Sequence, residues 1–196
     1  PELVFANLDE AFGRSEGDEE IQDLLKGSRG LNLALHFLSG ALTFDPVVTQ
    51  VDETLASKIV WLDAFITNID RTVKNTNMLI WHKELWLIDH GATFYFHHSW
   101  GDWQKAAVTS FPYIKDHVLL PQASLIEEIN EEMIALLPDK KLREITDLIP
   151  ADWLDWEGIE MSSEEIREVY YQFLVMRRNN ANNFVKQIQD AREILV

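Results

Sequence analysis

The sequence contains no cysteine. Disulfide-stapled scaffolds, thiolate metal centres and cysteine nucleophiles are therefore excluded. Basic residues are also scarce: 17 Lys and Arg stand against 33 Asp and Glu, which gives a formal net charge of −16. Because nucleic-acid backbones and anionic membranes are bound by clustered Lys and Arg, this charge argues against both as direct partners.

Long hydrophobic runs are missing as well. No apolar stretch approaches the roughly 18 residues of a transmembrane helix, and no basic segment followed by an apolar core opens the chain as in a signal peptide. We therefore expect a cytoplasmic protein. The 196 residues, 46% of them hydrophobic and 26% charged, are typical of one soluble globular domain that buries a real core.

Apolar periodicity predicts an α+β fold in which helices dominate. Strands are expected at 3–8 and 31–38, the second of them buried, with a helix over 18–26 and a polar loop over 13–18 between them. A β-hairpin is expected where two apolar segments flank the turn His82-Lys83-Glu84. The predicted helices cover 52–68, 124–136 (capped by Ser124), 140–148 and one long segment from a capping box at Ser162 and Glu165 to about Ile194.

One segment has the pattern of phosphoryl-transfer enzymes. Asp70 is followed five positions later by Asn75, the D-x-x-x-x-N spacing of a kinase catalytic loop. After the predicted hairpin the chain reads Asp89-His90-Gly91, and Asp89 stands where an Asp-x-Gly aspartate holds Mg²⁺. Gly91 would supply the backbone freedom that such a turn requires.

Each of these motifs by itself is weak evidence for a kinase site, whereas their order along the chain is much more specific to one. The alternative is structural: Asp70 as a helix-end residue, Asn75 in a turn and Asp89 as a strand-end cap. The histidines that follow offer a second alternative, a zinc site, because closely spaced histidines bind zinc. They are His90, His97 and His98.

At these residues the sequence resembles the HipA-like kinases, a bacterial branch of the protein-kinase-like fold. The phosphatidylinositol kinases share the Asp-Arg before the Asn and the Asp-x-Gly, and are similar at a greater distance. The resemblance spans roughly residues 1–105. Its stretches are 20–25, 30–33, 59–65, 68–77, 85–92 and 95–98.

The resemblance implies an ATP- and Mg²⁺-dependent kinase that transfers a phosphoryl group to a hydroxyl. The acceptor would be a protein Ser or Thr, although a small molecule is nearly as plausible. Asp70 would be the catalytic aspartate, and Asn75 and Asp89 would be the Mg²⁺ ligands.

The resemblance also implies a nucleotide site. Backbone groups near Phe37 and Leu38 would hydrogen-bond adenine. Arg71 and Lys74 would neutralise phosphate charge, or would equally be solvated loop charges. Residues 1–40 would form the end of the N-lobe with the hinge strand, and residues 41–196 the helical C-lobe.

The sequence departs from a complete kinase in two ways. It has no G-x-G-x-x-G motif, and none of its nine lysines falls convincingly within a predicted strand. We therefore expect that an N-terminal part is missing and that this chain alone is inactive or weak. The alternative is a pseudokinase or a protein-interaction module, which the absence of a phosphate loop and a strand lysine upstream of Pro1 would favour.

Overall fold

Helices dominate the architecture, with two small antiparallel sheets, as the α+β prediction requires. The computed structural model describes residues 3–9, 17–98, 100–155 and 159–195. Within those ranges the elements are β1 (Leu3–Leu8), α1 (Glu19–Gly27), β2 (Gly30–Leu35), β3 (Leu42–Thr43), α2 (Glu53–Phe65), β4 (Met78–Trp81), β5 (Glu84–Leu87), α3 (Trp103–Val108), α4 (Ile126–Ala135), α5 (Asp139–Asp147), α6 (Ser163–Asn179) and α7 (Ala181–Leu195). No helix of the described part combines the length and apolar character that a membrane crossing needs.

The core is organised around α2. Trp61 on this helix has no exposed surface. Its ring stacks on Phe65 and meets Phe184 of α7 edge-on, with centroids 5.3 Å apart in both pairs. Its indole N–H donates to Asn130 of α4 at 2.9 Å. The buried face of α2 therefore joins helices that are far apart in the sequence.

A three-stranded sheet, in the order β3-β4-β5, carries the predicted hairpin. The hairpin turn is tighter than the sequence predicts, because Glu84 already pairs with Trp81 and only His82 and Lys83 remain in the turn. Both turn residues have positive φ, 49° and 66°. Such turns follow the right-handed twist of the strands that they join.

The strands β1 and β2 form a separate two-stranded ribbon, paired from Leu3↔Leu35 to Leu8↔Gly30. The prediction of a buried strand over 31–38 is wrong in two respects. The strand ends at Leu35, and Leu33 and Leu35 are 50% and 56% exposed. A two-stranded ribbon covers little of its own apolar surface, and α1 beside it in the sequence buries no residue.

Two helix predictions need correction. The long terminal helix divides at Asn180, whose φ of −113° and ψ of 26° end α6 before α7 starts. Ser124 does not cap α4, because its hydroxyl donates to Glu53 at 2.6 Å. The capping box of Ser162 and Glu165 is confirmed. Most of the predicted loop over 13–18 lies outside the described residues.

Candidate functional site

The site is built on Asp63, a carboxylate that points from α2 into the protein and has no exposed surface. Its Oδ2 accepts hydrogen bonds from Arg71 Nε at 2.6 Å and from His117 Nε2 at 2.9 Å. Its Oδ1 accepts from the amide of Asn68 at 3.0 Å. Two donors from the 68–77 loop and one that lies 54 residues away in the sequence therefore converge on one side chain.

These donors fix the protonation behaviour of Asp63. Burial raises the pKa of the carboxyl, but the hydrogen bonds from His117 and Arg71 and the charge of Arg71 outweigh burial and hold the pKa below its ordinary value of 3.8. The His117 ring donates through Nε2, because its Nδ1 accepts the Leu119 N–H at 3.0 Å. The centre of the network is therefore an ionised, fully paired carboxylate.

Arg71 carries this network into the 68–77 loop. Its guanidinium donates to Asp63, to the backbone carbonyl of Asn77, and to His90 Nε2 at 3.1 Å. Only 1% of Arg71 is exposed. Both sequence-based interpretations of Arg71, as a phosphate-neutralising group and as a solvated charge, are therefore wrong: the buried partner Asp63 occupies it.

The loop closes on Asp70. Its Oδ2 accepts hydrogen bonds from the side-chain amides of Asn75 at 2.7 Å and Asn77 at 3.1 Å. Its own N–H donates to Asn68 Oδ1 at 3.1 Å. The structure therefore brings Asp70 and Asn75 together. It leaves Asp70 Oδ1 without a hydrogen-bond donor among the described residues.

Asp89 follows β5 and is exposed. Both of its neighbours are tied to the loop region: the Ile88 N–H donates to Asn77 O at 2.9 Å, and His90 accepts from Arg71. Burial and then the charge of Arg71 lower the pKa of His90, which favours the neutral ring that accepts this hydrogen bond. Asp89 is thus held at the edge of the same site.

The role expected of Gly91 is corrected by the backbone. Asp89, and not Gly91, has the left-handed conformation, with φ of 48°. Gly91 instead donates its N–H to Asp89 Oδ1 at 3.3 Å, and a Cβ at Gly91 would stand 3.3 Å from that same oxygen. Glycine is used here for close approach to the Asp89 carboxylate.

An open cavity of about 620 Å³ lies beside the loop, and Lys74 and Asn75 line it together with residues of β3 and β4. The predicted adenine contacts Phe37 and Leu38 lie in the segment between β2 and β3. They are not among the described lining residues of this cavity, and 83% of Phe37 is exposed. Their carbonyls accept the N–H groups of Ser39 and Ala41, both at 3.1 Å.

The oxygen donors present suit a hard cation. Asn75 and Asp89 offer an amide and a carboxylate oxygen, the ligand types that Mg²⁺ takes from proteins. No cluster of three or more His, Asp or Glu side chains that could hold a metal occurs within the described part of the chain. His97, from the zinc alternative, instead lies with Nδ1 2.5 Å from the hydroxyl of Tyr170.

Sequence reasoning missed Asp63, Asn77 and His117 as parts of the site. A signal existed for Asp63, since an acid stands among the apolar residues of a helix predicted to be buried on one face. Nothing local marks His117, because its partner lies 54 residues away.

The comparisons with known proteins point to one family. A family model described as HipA-like kinase matches residues 2–188, nearly the whole chain. No curated protein and no solved structure matches the chain.

Proposed function

Because the chain belongs to the HipA-like kinase family, we propose that it carries the catalytic and metal-binding loops of an ATP- and Mg²⁺-dependent kinase with a protein-kinase-like fold. The γ-phosphoryl group would pass to a hydroxyl, of a protein Ser or Thr in the first instance. One observation carries this proposal: Asn75 and Asn77 close the loop on Asp70, while one oxygen of Asp70 is left for an acceptor.

Asp70 is the residue that meets the acceptor. Since Oδ2 is engaged by two amides, Oδ1 is the oxygen that accepts the proton of the hydroxyl. As the bond from the hydroxyl oxygen to the γ-phosphorus forms, the bond to the β-phosphate oxygen breaks and ADP leaves. Orientation of the hydroxyl by a fixed carboxylate is the main contribution that such an aspartate makes.

Asn75 and Asp89 are the proposed metal ligands. The Asn75 amide nitrogen donates to Asp70, so that its oxygen is the atom available to a cation. Bound Mg²⁺ would neutralise the charge that builds up on the phosphate oxygens. Lys74, exposed on the cavity wall, is the proposed phosphate contact, and the backbone of Phe37 and Leu38 the proposed adenine contact.

This assignment divides the chain into residues 1–40, the end of an N-lobe with its hinge, and residues 41–196, the C-lobe. The sequence offers no G-x-G-x-x-G phosphate loop, and none of the strands in the described part of the chain carries a lysine to grip the triphosphate. We therefore propose that this chain alone has little or no kinase activity, because positioning and charge neutralisation supply most of the catalysis.

The lack of a phosphate loop and of a lysine in the described strands also favours a second candidate, a pseudokinase or protein-interaction module that keeps the fold without catalysis. Against it stands the retention of Asp70, Asn75 and Asp89, since a scaffold has no need of metal ligands. Nucleotide binding distinguishes the two candidates.

The test is calorimetric titration of Mg·ATP into the protein, its Asp89→Ala variant and, as a matched control, Asp190→Ala on the exposed side of α7. Binding that only Asp89→Ala abolishes would support the metal–nucleotide assignment. Equal binding to all three proteins would contradict the role of Asp89. Absence of binding to the unaltered protein would leave two explanations, an interaction module and a kinase chain that lacks the elements that grip the triphosphate.

A further inference from the structure

A second cavity, which we call the aromatic pocket, opens where the polypeptide enters the 68–77 loop. Its volume is about 400 Å³, and its lining includes Thr67, Tyr95, Ala106, Phe111, Tyr113 and Arg177. Its size and its aromatic lining are those of ligand-binding pockets. It shares no described lining residue with the cavity beside Lys74 and Asn75.

The walls of the aromatic pocket are held in place before any ligand binds. Arg177 of α6 is 1% exposed and donates to the carbonyls of Ala64 and Thr109, both at 2.7 Å. These bonds tie α6 to the end of α2 and to the residue after α3. At the rim, Tyr95 and Tyr113 are 43% and 46% exposed, with ring centroids 5.6 Å apart.

The pocket is connected directly to the catalytic end of the site. The N–H of Tyr95 donates to Thr67 Oγ1 at 3.1 Å, and that of Phe94 to Ile66 O at 2.8 Å. The segment after Asp89-His90-Gly91 therefore runs along the residues that lead to Asp70. Thr67 lies three residues before Asp70, a Cα separation of at most about 11 Å.

The two cavities border different residues of this region: Thr67, just before the 68–77 loop, lines the aromatic pocket, whereas Lys74 and Asn75 line the other cavity. In phosphoryl transfer the attacking and leaving oxygens are roughly in line with the phosphorus, so donor and acceptor approach from opposite sides. If the nucleotide occupies the cavity beside Lys74 and Asn75, the aromatic pocket is left for the acceptor. Because Thr67 and Asp70 are at most about 11 Å apart, an acceptor that fills the pocket beside Thr67 and reaches Asp70 spans about three extended residues or fewer.

We propose that the aromatic pocket binds a bulky apolar side chain of a protein acceptor, aromatic or leucine-like, within about three residues of the Ser or Thr hydroxyl that Asp70 receives. This inference rests on the proposed function, because it names the substrate class of the same site. On this proposal, Ala106, Phe111 and Tyr113 determine which acceptor side chain the pocket binds.

Binding is tested first, without catalysis. The probe is N-acetyl-L-phenylalaninamide, titrated into isotope-labelled protein and followed by NMR, with N-acetyl-L-alaninamide as the reference compound. We expect saturable shifts at Tyr95, Ala106 and Tyr113 with the phenylalanine compound only. They should be lost in Ala106→Leu, which fills the pocket, and in Tyr113→Ala, which removes a half-exposed wall of the pocket.

Ala135→Leu, at an exposed position of α4, is the matched control and should bind as the unaltered protein does. Absence of saturable shifts at the pocket, or shifts that survive both pocket variants, would overturn the proposal. This measurement decides the matter even if no acceptor is phosphorylated.

Acceptor choice is tested second, with a Ser/Thr peptide library, Mg·ATP and the weak kinase activity proposed for this chain. We expect selection of Phe, Tyr or Leu at one position near the hydroxyl. In Ala106→Leu the kcat/KM ratio between a Phe-containing peptide and its Ala analogue should fall about tenfold or more. Asp70-dependent phosphorylation without apolar selection would overturn the pocket alone, whereas phosphorylation unaffected by Asp70→Ala would overturn the proposed function.

Discussion

Asp63 is the residue on which the geometry of the 68–77 loop depends most. It receives hydrogen bonds from Asn68, Arg71 and His117, and both it and the Arg71 side chain are fully buried. Arg71 in turn holds the carbonyl of Asn77, whose amide contacts Asp70. The position of the proposed catalytic carboxylate of Asp70 is therefore set by the buried charge of Asp63, which has no surface exposed to a substrate.

Removing this charge should be costly. In Asp63→Asn the Arg71 guanidinium remains buried without its anion, and we expect the free energy of unfolding to fall by about 3 kcal/mol, as when one partner of a buried ion pair is lost. Urea unfolding followed by circular dichroism measures the loss. Asp190→Asn, at an exposed position, is the control, and a loss no larger than its own would disprove the role assigned to Asp63.

The same pair predicts a dependence on pH. The folded protein holds the pKa of Asp63 below 3.8, so the stability that Asp63 contributes is present above its unfolded pKa and is lost as pH falls through the folded pKa. The difference in unfolding free energy between the protein and Asp63→Asn should therefore narrow in acid. Denaturant titrations from neutrality to below pH 3.8 would show this, and a constant difference would contradict it.

Among the secondary-structure elements, the hairpin β4–β5 delivers Asp89 to the site. Its turn places Lys83 at φ 66°, which disfavours every residue with a Cβ. We expect Lys83→Gly to raise the free energy of unfolding by about 1 kcal/mol.

Lys141→Gly in α5 provides the opposite control for the hairpin prediction. There the same substitution should lower stability by about 1 kcal/mol, because glycine is a poor helix former. Thermal or urea unfolding of the two variants compares them directly. Destabilisation by both would mean that the turn gains nothing from glycine.

The elements also show how far local patterns predict this fold. Helix α2, the hairpin and the capping box of α6 follow from periodicity and turn chemistry, and the structure contains all three. Strand β3 was missed, because two residues cannot show a period and their pairing with Leu79 and Ile80 is non-local. The division at Asn180 has a local signal, the asparagines of 179–183, because asparagine commonly ends helices; the prediction of one long helix treats Asn179 and Asn180 as a polar helix surface.

At the scale of the whole molecule, the ribbon β1–β2 is weakly anchored to the helical body. Leu3, Val4 and Phe5 are each more than half exposed. Its contacts with the helical body include a hydrogen bond from the Trp153 indole to Leu31 O at 2.6 Å and an edge-on contact of that ring with Phe5, with centroids 5.8 Å apart. Segments with so few buried contacts open at low free energy.

Hydrogen exchange should reveal this difference. We expect amides of the ribbon to exchange much faster than those of α2, and faster still in Trp153→Phe, which keeps a ring but removes the N–H donor. Mass spectrometry of exchanged peptides measures both effects. Trp103→Phe is the control for loss of an indole, and equal protection of the ribbon and α2 would refute the prediction.

The linear sequence alone determined which residues are proposed to perform the chemistry and in what order they occur. Asp70, Asn75 and Asp89 are recognisable because motif spacing is a local property, and the match of the HipA-like kinase family to residues 2–188 agrees with the resemblance seen in them. Only the tertiary structure decided what surrounds them. Whether Arg71 is solvated or buried depends on Asp63 and His117, which chain folding brings together from α2 and from beyond α3. The burial of a charge is set by such tertiary neighbours rather than by the adjacent residues of the sequence.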